Sequence, residues 1–558
     1  MTPHSGLGPH SADATRPPIL PLLPALVVAA GAGLLLDTAF PDKGWWFTAF
    51  PAVALALLTM QGRRVGAAIL VGLVFGASFY WPHIEWASEF LGVVPWSALA
   101  AVMTLWNGAA AALIALAYRW VPRVWGGTGG RLLLLPAIVA GIWTAREAAA
   151  SVWPYGGFSW GRVAFSQSES PFSPLFAWLG VSGVTFAMVF LVALGLAAAQ
   201  EAIRRPRTPS GTPRWASLGA LVTVAALALV SVPSWTSLPG TAEVATLRVG
   251  AVQGATKAGY FDPPENFGDN LLGQVAATEP LYGEDVDVVV WPEGASDADP
   301  LRYRWARELW DEVAERSGAP LIGGTITTRQ LDKVDQNGAP VPEFFNTVML
   351  WKAGVGPTDY YDKKHPVPFG EYVPDRAFWR QFAPDLIDLI QREYTPGTTD
   401  AVFELPGSGA IVGNAICFDV TDDQLLTEMV EQGAQIVFVE SNNADFGFTD
   451  ESVQQLAFAR IRAIETARTV VNISTVGTSA IVLPDGTIEQ RLPWYEPGVM
   501  VADVPLLTTV TPAVILGRQL EWLASILGLG GLLIAGSAAR PARRARPRRP
   551  ARLPLPGR

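Results

Sequence analysis

Gly409-Ala410-Ile411-Val412-Gly413-Asn414-Ala415-Ile416-Cys417-Phe418-Asp419 is an apolar run that ends in a thiol, an aromatic ring and an acid. A short apolar run bounded by turn residues reads as a buried strand. Its end is where loops build sites in α/β proteins. Cys417 is the only cysteine among 558 residues, which excludes an intrachain disulfide. The fold therefore does not depend on an oxidising compartment. Taken alone, a single cysteine in an apolar strand reads more readily as an inert small hydrophobe. Two further stretches reverse that reading.

The first is Val288-Val289-Val290-Trp291-Pro292-Glu293-Gly294, a β-type run that ends in a carboxylate. The second is Tyr361-Asp362-Lys363-Lys364-His365-Pro366-Val367-Pro368-Phe369-Gly370-Glu371-Tyr372-Val373-Pro374. It sets lysines, a histidine and a glutamate among prolines that fix the backbone. A carboxylate, a lysine and a thiol, each near a strand end, can serve as base, cationic stabiliser and nucleophile. Singly, Glu293 reads equally as an exposed strand-end acid, and Lys363 as a solvated loop charge. Local sequence does not separate Lys363 from Lys364.

In this order and context the three segments resemble the nitrilase superfamily. The long form from Tyr361 to Pro374 is similar to one branch, the apolipoprotein N-acyltransferases. The resemblance implies an αββα sandwich and a Glu-Lys-Cys triad of Glu293, Lys363 and Cys417 that transfers acyl groups through a thioester. It selects Lys363, two residues after the tyrosine. It also implies supporting roles around the triad for Glu371, by a hydrogen bond to the lysine, and for Phe418 and Asp419. The branch commonly has Tyr-Glu after the cysteine; here the phenol hydroxyl is lost and the acid is shorter by a methylene. Asp445 stands where the branch often has tryptophan, so an aromatic substrate contact is not carried over.

Half of the residues are hydrophobic and only 16% are charged, against about 25% in ordinary soluble domains. Apolar runs at 19–36, 46–60, 65–81, 93–116, 132–152, 172–199, 218–232 and 513–534 predict eight membrane helices. The second is short, and the fifth carries Arg146 and Glu147. Arginines alternate between the connecting loops. Arg63 and Arg64, then Arg119, Arg123 and Arg131, then Arg204, Arg205, Arg207 and Arg214 lie on one side. The loops around Asp37–Lys43 and His83–Glu89 are nearly free of arginine. By the positive-inside rule both termini are cytoplasmic and the polar region after the seventh span is extracytoplasmic. The expected organisation is a disordered tail at 1–18, seven spans within 19–235, a catalytic domain at 244–508, an eighth span at 513–535 and an arginine-rich tail at 536–558. That tail, directly after a span, suits anionic lipid better than nucleic acid.

Within 244–508, strand-like runs at 247–253, 286–291, 320–326, 347–351, 411–416, 435–440, 470–474 and 479–483 alternate with helical patterns, as in an α/β sandwich. The clearest helix is 451–468, with Val453, Leu456, Ala457, Phe458, Ile461 and Ile464 at helical spacing. Residues 376–394 read as an amphipathic helix or lid, with ordinary core packing an equal alternative. One cysteine and four scattered histidines offer no metal site, and no phosphate-binding glycine loop is present, so no metal or cofactor is expected.

The resemblance and the spans together imply a multi-pass enzyme of a bacterial-type inner membrane. Its partners would be a phospholipid acyl donor, a diacylated lipoprotein acceptor and membrane lipid, with no nucleic acid. The rivals are a membrane-anchored amidase, which would need one anchor rather than eight spans, and a transporter or scaffold whose α/β domain only binds.

Overall fold

The computed structural model describes residues 17–205, 214–235, 243–256, 259, 264–334 and 340–539. The N-terminal tail up to residue 16 and the arginine-rich tail from residue 540 lie outside them, as does Arg207. All eight apolar runs fall on helices. Val65–His83, Val93–Val124, Gly130–Ala150, Ser173–Arg204 and Pro512–Ala538 are long and apolar enough to cross a membrane. Leu22–Asp37, Trp46–Met60 and the apolar stretch Leu218–Ala228 are shorter.

Lipid gives helices no hydrophobic reason to associate, so close packing through small residues holds a bundle together. The last helix joins the bundle in this way. A Cβ on Gly141 would sit 2.4 Å from the Ala524 carbonyl oxygen, and one on Gly528 would sit 2.3 Å from the Gly141 carbonyl carbon. Only glycine at both positions lets the two backbones touch.

The charges in the fifth run also find partners. Glu147 pairs with Arg146 at 3.1 Å. It accepts from Trp143 Nε1 at 2.9 Å, Val163 N at 3.1 Å and Thr185 Oγ1 at 2.9 Å. A buried carboxylate is tolerated when its lone pairs are used in this way.

Twelve strands follow among the described residues: β1 Glu243–Gln253, β2 Val288–Val290, β3 Leu321–Val334, β4 Pro340–Lys352, β5 Gly356–Asp362, β6 Val402–Glu404, β7 Ile411–Ile416, β8 Ile436–Ser441, β9 Thr469–Ser474, β10 Ala480–Val482, β11 Ile488–Arg491 and β12 Gly498–Leu507. They form two six-stranded sheets, ordered β12-β1-β2-β3-β4-β5 and β11-β10-β9-β8-β7-β6. Each has a parallel centre, β1-β2-β3 in one and β7-β8-β9 in the other. The parallel strands are joined by helices Asp269–Thr278, Arg304–Ser317, Asp423–Glu431 and Glu451–Thr466.

The sheets face each other across one core, with Val249, Val290 and Val348 from the first and Val412, Ile416 and Val471 from the second. The outer face of the first sheet packs Trp291 and Trp351 on Trp310 of helix Arg304–Ser317. The layers are thus αββα. Glu243 at the start of β1 pairs with Leu507 at the end of β12, so the chain enters and leaves this sandwich side by side, between the last two apolar helices.

The segment at 151–172, between two apolar helices, ties the sandwich to the bundle. Trp160 donates to Gln454 Oε1 at 2.6 Å. Arg162 reaches Asp423 at 2.7 Å and Ser182 at 2.7 Å. Arg462 takes the other Asp423 oxygen at 2.6 Å and donates to the Val420 carbonyl at 2.8 Å.

Residues 376–394 do not form one amphipathic helix. They make two short helical turns, Arg376–Trp379 and Pro384–Ile387. Pro384 lacks the N–H that would continue the first turn. Ile387 and Ile390 bury against Val373, while Phe378 and Phe382 stay exposed.

Candidate active site

Glu293, Lys363 and Cys417 each lie just beyond a strand end, and Glu371 lies in the loop that follows Lys363. Glu293 follows β2, Lys363 follows β5, and Cys417 follows β7. β7 hands the chain to a tight turn at Cys417–Thr421, with Cys417 itself at φ +54°. A non-glycine residue there stores strain, which functional sites tolerate when the surroundings over-determine it.

Asp419 supplies much of that determination. Its carboxylate accepts from Ile416 N at 3.1 Å and from the Tyr361 hydroxyl at 3.0 Å. The same hydroxyl accepts from Lys364 N at 3.3 Å. Asp419 therefore binds the cysteine turn to the lysine segment across the two sheets. Phe418 turns the other way, its ring stacked near-parallel with Phe158 and Trp160 of the 151–172 segment.

Lys363 and Lys364 separate clearly. The Lys363 side chain is only 1% exposed, and its Nζ lies 3.0 Å from Glu371 Oε2. Its backbone is held by Asn346 O and by Gly397 N, both at 2.9 Å. Lys364 points to the surface, with Asp400 at 3.9 Å and Glu428 at 3.8 Å. Glu371 also accepts from Val367 N at 2.6 Å.

The unforeseen residue is Asn346, on β4. Its Nδ2 donates to Glu293 Oε1 at 2.6 Å and to Glu371 Oε1 at 2.8 Å. The other Glu293 oxygen accepts from Asn442 N at 2.9 Å, just beyond β8. A continuous chain thus runs from Lys363 through Glu371 and Asn346 to Glu293. Its only sequence signal is an amide among Phe345, Val348 and Met349, at a position that the strand turns inward.

Burial pushes the Glu293 carboxyl above the usual carboxylate range, with Lys363 opposing. Burial also works against the charge on Lys363, but Glu371 and then Glu293 more than offset it and raise its pKa. The Cys417 thiol is pushed well above its ordinary value by burial and by Glu293, with Lys363 opposing. Glu293, Lys363 and Cys417 therefore sense one another's charge. Among the described residues, no group of three or more His, Cys, Asp or Glu side chains is arranged to hold a metal ion.

Residues 32–194 match the family model of the apolipoprotein N-acyltransferase N-terminal domain, and residues 248–511 that of carbon-nitrogen hydrolase. The apolipoprotein N-acyltransferase of Mycolicibacterium smegmatis is 34% identical over 537 residues, covering 91% of this chain and 85% of that protein. The chain belongs to the apolipoprotein N-acyltransferase family. The family member from Shewanella oneidensis is 27% identical, covering 92% of this chain and 95% of its own length. Among solved structures, a nitrilase-superfamily amidase from Nesterenkonia is 16% identical, covers 48% of this chain and 94% of that one, and gives a TM-score of 0.34. The structure places all three residues that depart from the commoner pattern. Asp419, shorter than glutamate, still reaches Tyr361, and Phe418 needs no hydroxyl where it stacks on rings. Asp445 sits in the 3-10 turn Ala444–Phe446, in which Phe446 meets Trp86 edge-on.

Proposed function

We propose that this protein is a membrane N-acyltransferase. It moves an acyl chain from a phospholipid, through a thioester on Cys417, to the N-terminal amine of a diacylglyceryl-cysteine lipoprotein. Family membership supports the reaction class. The observation that carries the residue roles is the Lys363–Glu371–Asn346–Glu293 chain at the strand-end edge that also bears Cys417.

Glu293 takes the thiol proton as sulfur attacks the ester carbonyl of the phospholipid. Burial suits it to this: a carboxylate with a raised pKa is a better base, closer in strength to the thiol it must deprotonate. The tetrahedral oxyanion forms beside the Lys363 ammonium, which Glu371 holds in place so that little reorganisation is needed. Collapse breaks the C–O bond, and Glu293 returns its proton to the leaving lysophospholipid alcohol. In the second half the lipoprotein amine attacks the thioester. Glu293 takes a proton from the amine and gives it to the departing sulfur, restoring the thiol and leaving an amide.

The apolar helices hold this chemistry at a bilayer. The arginine-rich loops assign the sandwich to the extracytoplasmic side, with both termini inside. Single cysteines introduced in place of Asp285 and Arg544, on a Cys417→Ala background, should label from opposite faces; labelling from one face rejects this topology.

Intact mass after incubation with phospholipid tests the chemistry. One acyl adduct is expected on the wild type and none on Cys417→Ala. A lipopeptide with a free N-terminal amine should discharge the adduct, and the same peptide with a blocked amine should not. Discharge by water at one rate with either peptide would favour an amidase.

A further inference from the structure

Helix Glu451–Thr466 starts beside the cysteine turn and carries Glu451 and Gln455 on one face, four residues apart. Both are buried, at 2% and 1% exposure. Gln455 Nε2 lies 3.6 Å from Cys417 Sγ, within reach of an N–H to sulfur hydrogen bond.

A chain of donors that begins on the backbone supports the orientation in which the NH2 of this amide faces the sulfur. Gly477 N–H donates to Ser474 Oγ at 3.0 Å, and the serine hydroxyl donates in turn to Asn443 Oδ1. With its oxygen accepting, Asn443 presents Nδ2. Its two hydrogens go to Glu451 Oε2 at 2.6 Å and to Gln455 Oε1 at 2.8 Å. Gln455 thus turns its oxygen to Asn443 and its NH2 to sulfur. The acid–base steps assigned to Glu293 and the oxyanion contact of Lys363 use none of these groups, and the chain ends at the nucleophile through Gln455.

We infer that Gln455 is a hydrogen-bond donor to the Cys417 sulfur that stabilises the thiolate as it forms. The inference rests on Cys417 being the nucleophile. When the S–H bond breaks, its electron pair stays on sulfur and the proton goes to Glu293. No atom of Gln455 is transferred. A hydrogen bond to a charged acceptor is about twice as strong as one between neutral groups, so the contact favours the thiolate over the thiol. The need is physical: the thiol is buried, and burial opposes its ionisation.

The rate of Cys417 alkylation by iodoacetamide against pH, on full-length protein in phospholipid nanodiscs, reads the thiolate directly, because Cys417 is the sole thiol. Gln455→Met keeps length and bulk and removes the donor. Its alkylation midpoint should lie about one pH unit higher, a roughly tenfold loss of thiolate at a fixed pH below it. The kcat for acyl transfer should fall by a similar factor, with KM for phospholipid unchanged. A curve that superimposes on the wild type overturns the inference. Should Gln455→Met fail to fold, Ser474→Ala tests the same chain away from the sulfur, since it frees the Asn443 amide to turn. A smaller upward move of the midpoint is expected, and an unmoved midpoint in folded Ser474→Ala also overturns the inference. Failure of the underlying reading looks different. Acyl transfer by Cys417→Ala removes the nucleophile itself, whereas a Cys417 adduct on the wild type with an unmoved Gln455→Met curve removes Gln455 alone.

Discussion

Asn346 Nδ2 lies 2.6 Å from Glu293 Oε1, and its second hydrogen reaches Glu371 Oε1 at 2.8 Å. One neutral amide thereby holds two carboxylates that would otherwise repel each other in a buried pocket. Hydrogen bonds to charged groups contribute about 1.5–3 kcal/mol each. Asn346→Leu should therefore slow thioester formation by about 10- to 100-fold, since the base is no longer aimed. Asn346→Asp should be worse, because it puts a third carboxylate where a donor stood. Single-turnover labelling of Cys417 by a mass-tagged phospholipid checks both, and labelling of Asn346→Leu at the wild-type rate would reject the assignment.

The same measurement separates the adjacent lysines. Lys363→Ala removes the cation held against Glu371 and should cost at least about 10²-fold, as for other oxyanion donors. Lys364→Ala should be mild. Its ammonium makes only long contacts to Asp400 and Glu428 near the surface, and exposed pairs of this kind contribute about 0–1 kcal/mol. An inactive Lys364→Ala with an active Lys363→Ala would shift the register of the site by one residue.

What the sequence reveals, and what it hides, follows from where polar groups sit. Runs such as Val288–Val290 and Ile411–Ile416 are legible as strands because parallel strands, buried on both faces, are apolar throughout. Their ends are legible because a carboxylate or a thiol interrupts the run. Asn346 and Gln455 are hidden for the opposite reason. An amide in a strand or a helix ordinarily faces water, and only the packing of β4 and of helix Glu451–Thr466 turns these two inward. The choice between Lys363 and Lys364 is equally non-local: it is decided by Glu371 on one side and by the Tyr361 hydroxyl on the other. The 151–172 segment carries no periodicity at all. Its contribution, Trp160 on Phe418 and Arg162 on Asp423, exists only once bundle and sandwich meet.

Asp419 gives the protein a pH-dependent stability of defined sign. Burial raises its carboxyl from 3.8 to about 7, with Lys363 opposing. The folded state then binds the proton more tightly than the unfolded chain does. Its contribution is full below about pH 4 and is lost as the pH rises through about 7. Asp419→Asn keeps an oxygen for Ile416 N and the Tyr361 hydroxyl but cannot ionise. The decline in thermal midpoint between about pH 4 and 7 should flatten in this variant, which should be more stable than the wild type above pH 7. Burial likewise raises Glu451 to about 8, so a shallower decline should remain. Parallel curves for the two proteins would rule out Asp419 as a source of the dependence.

Trp160 sits where the membrane bundle meets the turn that carries Cys417, and a change there should be felt at the thiol. The side chain is fully buried. It donates to Gln454 Oε1 at 2.6 Å, lies parallel to Phe418 with ring centres 6.1 Å apart, and meets Phe458 edge-on at 4.5 Å. Trp160→Ala removes all three contacts and leaves a cavity at the junction, a loss of about 3–5 kcal/mol for such a truncation. At about 2–4 °C per kcal/mol for a domain of 150–250 residues, the thermal midpoint in detergent should fall by roughly 10 °C. Trp160→Phe keeps a ring over Phe418 and loses the donor. Gln454 retains Trp86 Nε1 at 3.3 Å, so this variant should lose only about 1 kcal/mol, the net worth of one hydrogen bond. Because Phe418 follows the strained Cys417 directly, loosening its stack should also free the turn. Iodoacetamide should then alkylate Cys417 faster in Trp160→Ala than in the wild type, while acyl transfer falls because the sulfur is no longer fixed relative to Glu293 and Lys363. An unchanged midpoint together with unchanged alkylation would show that the bundle does not brace the site through this residue.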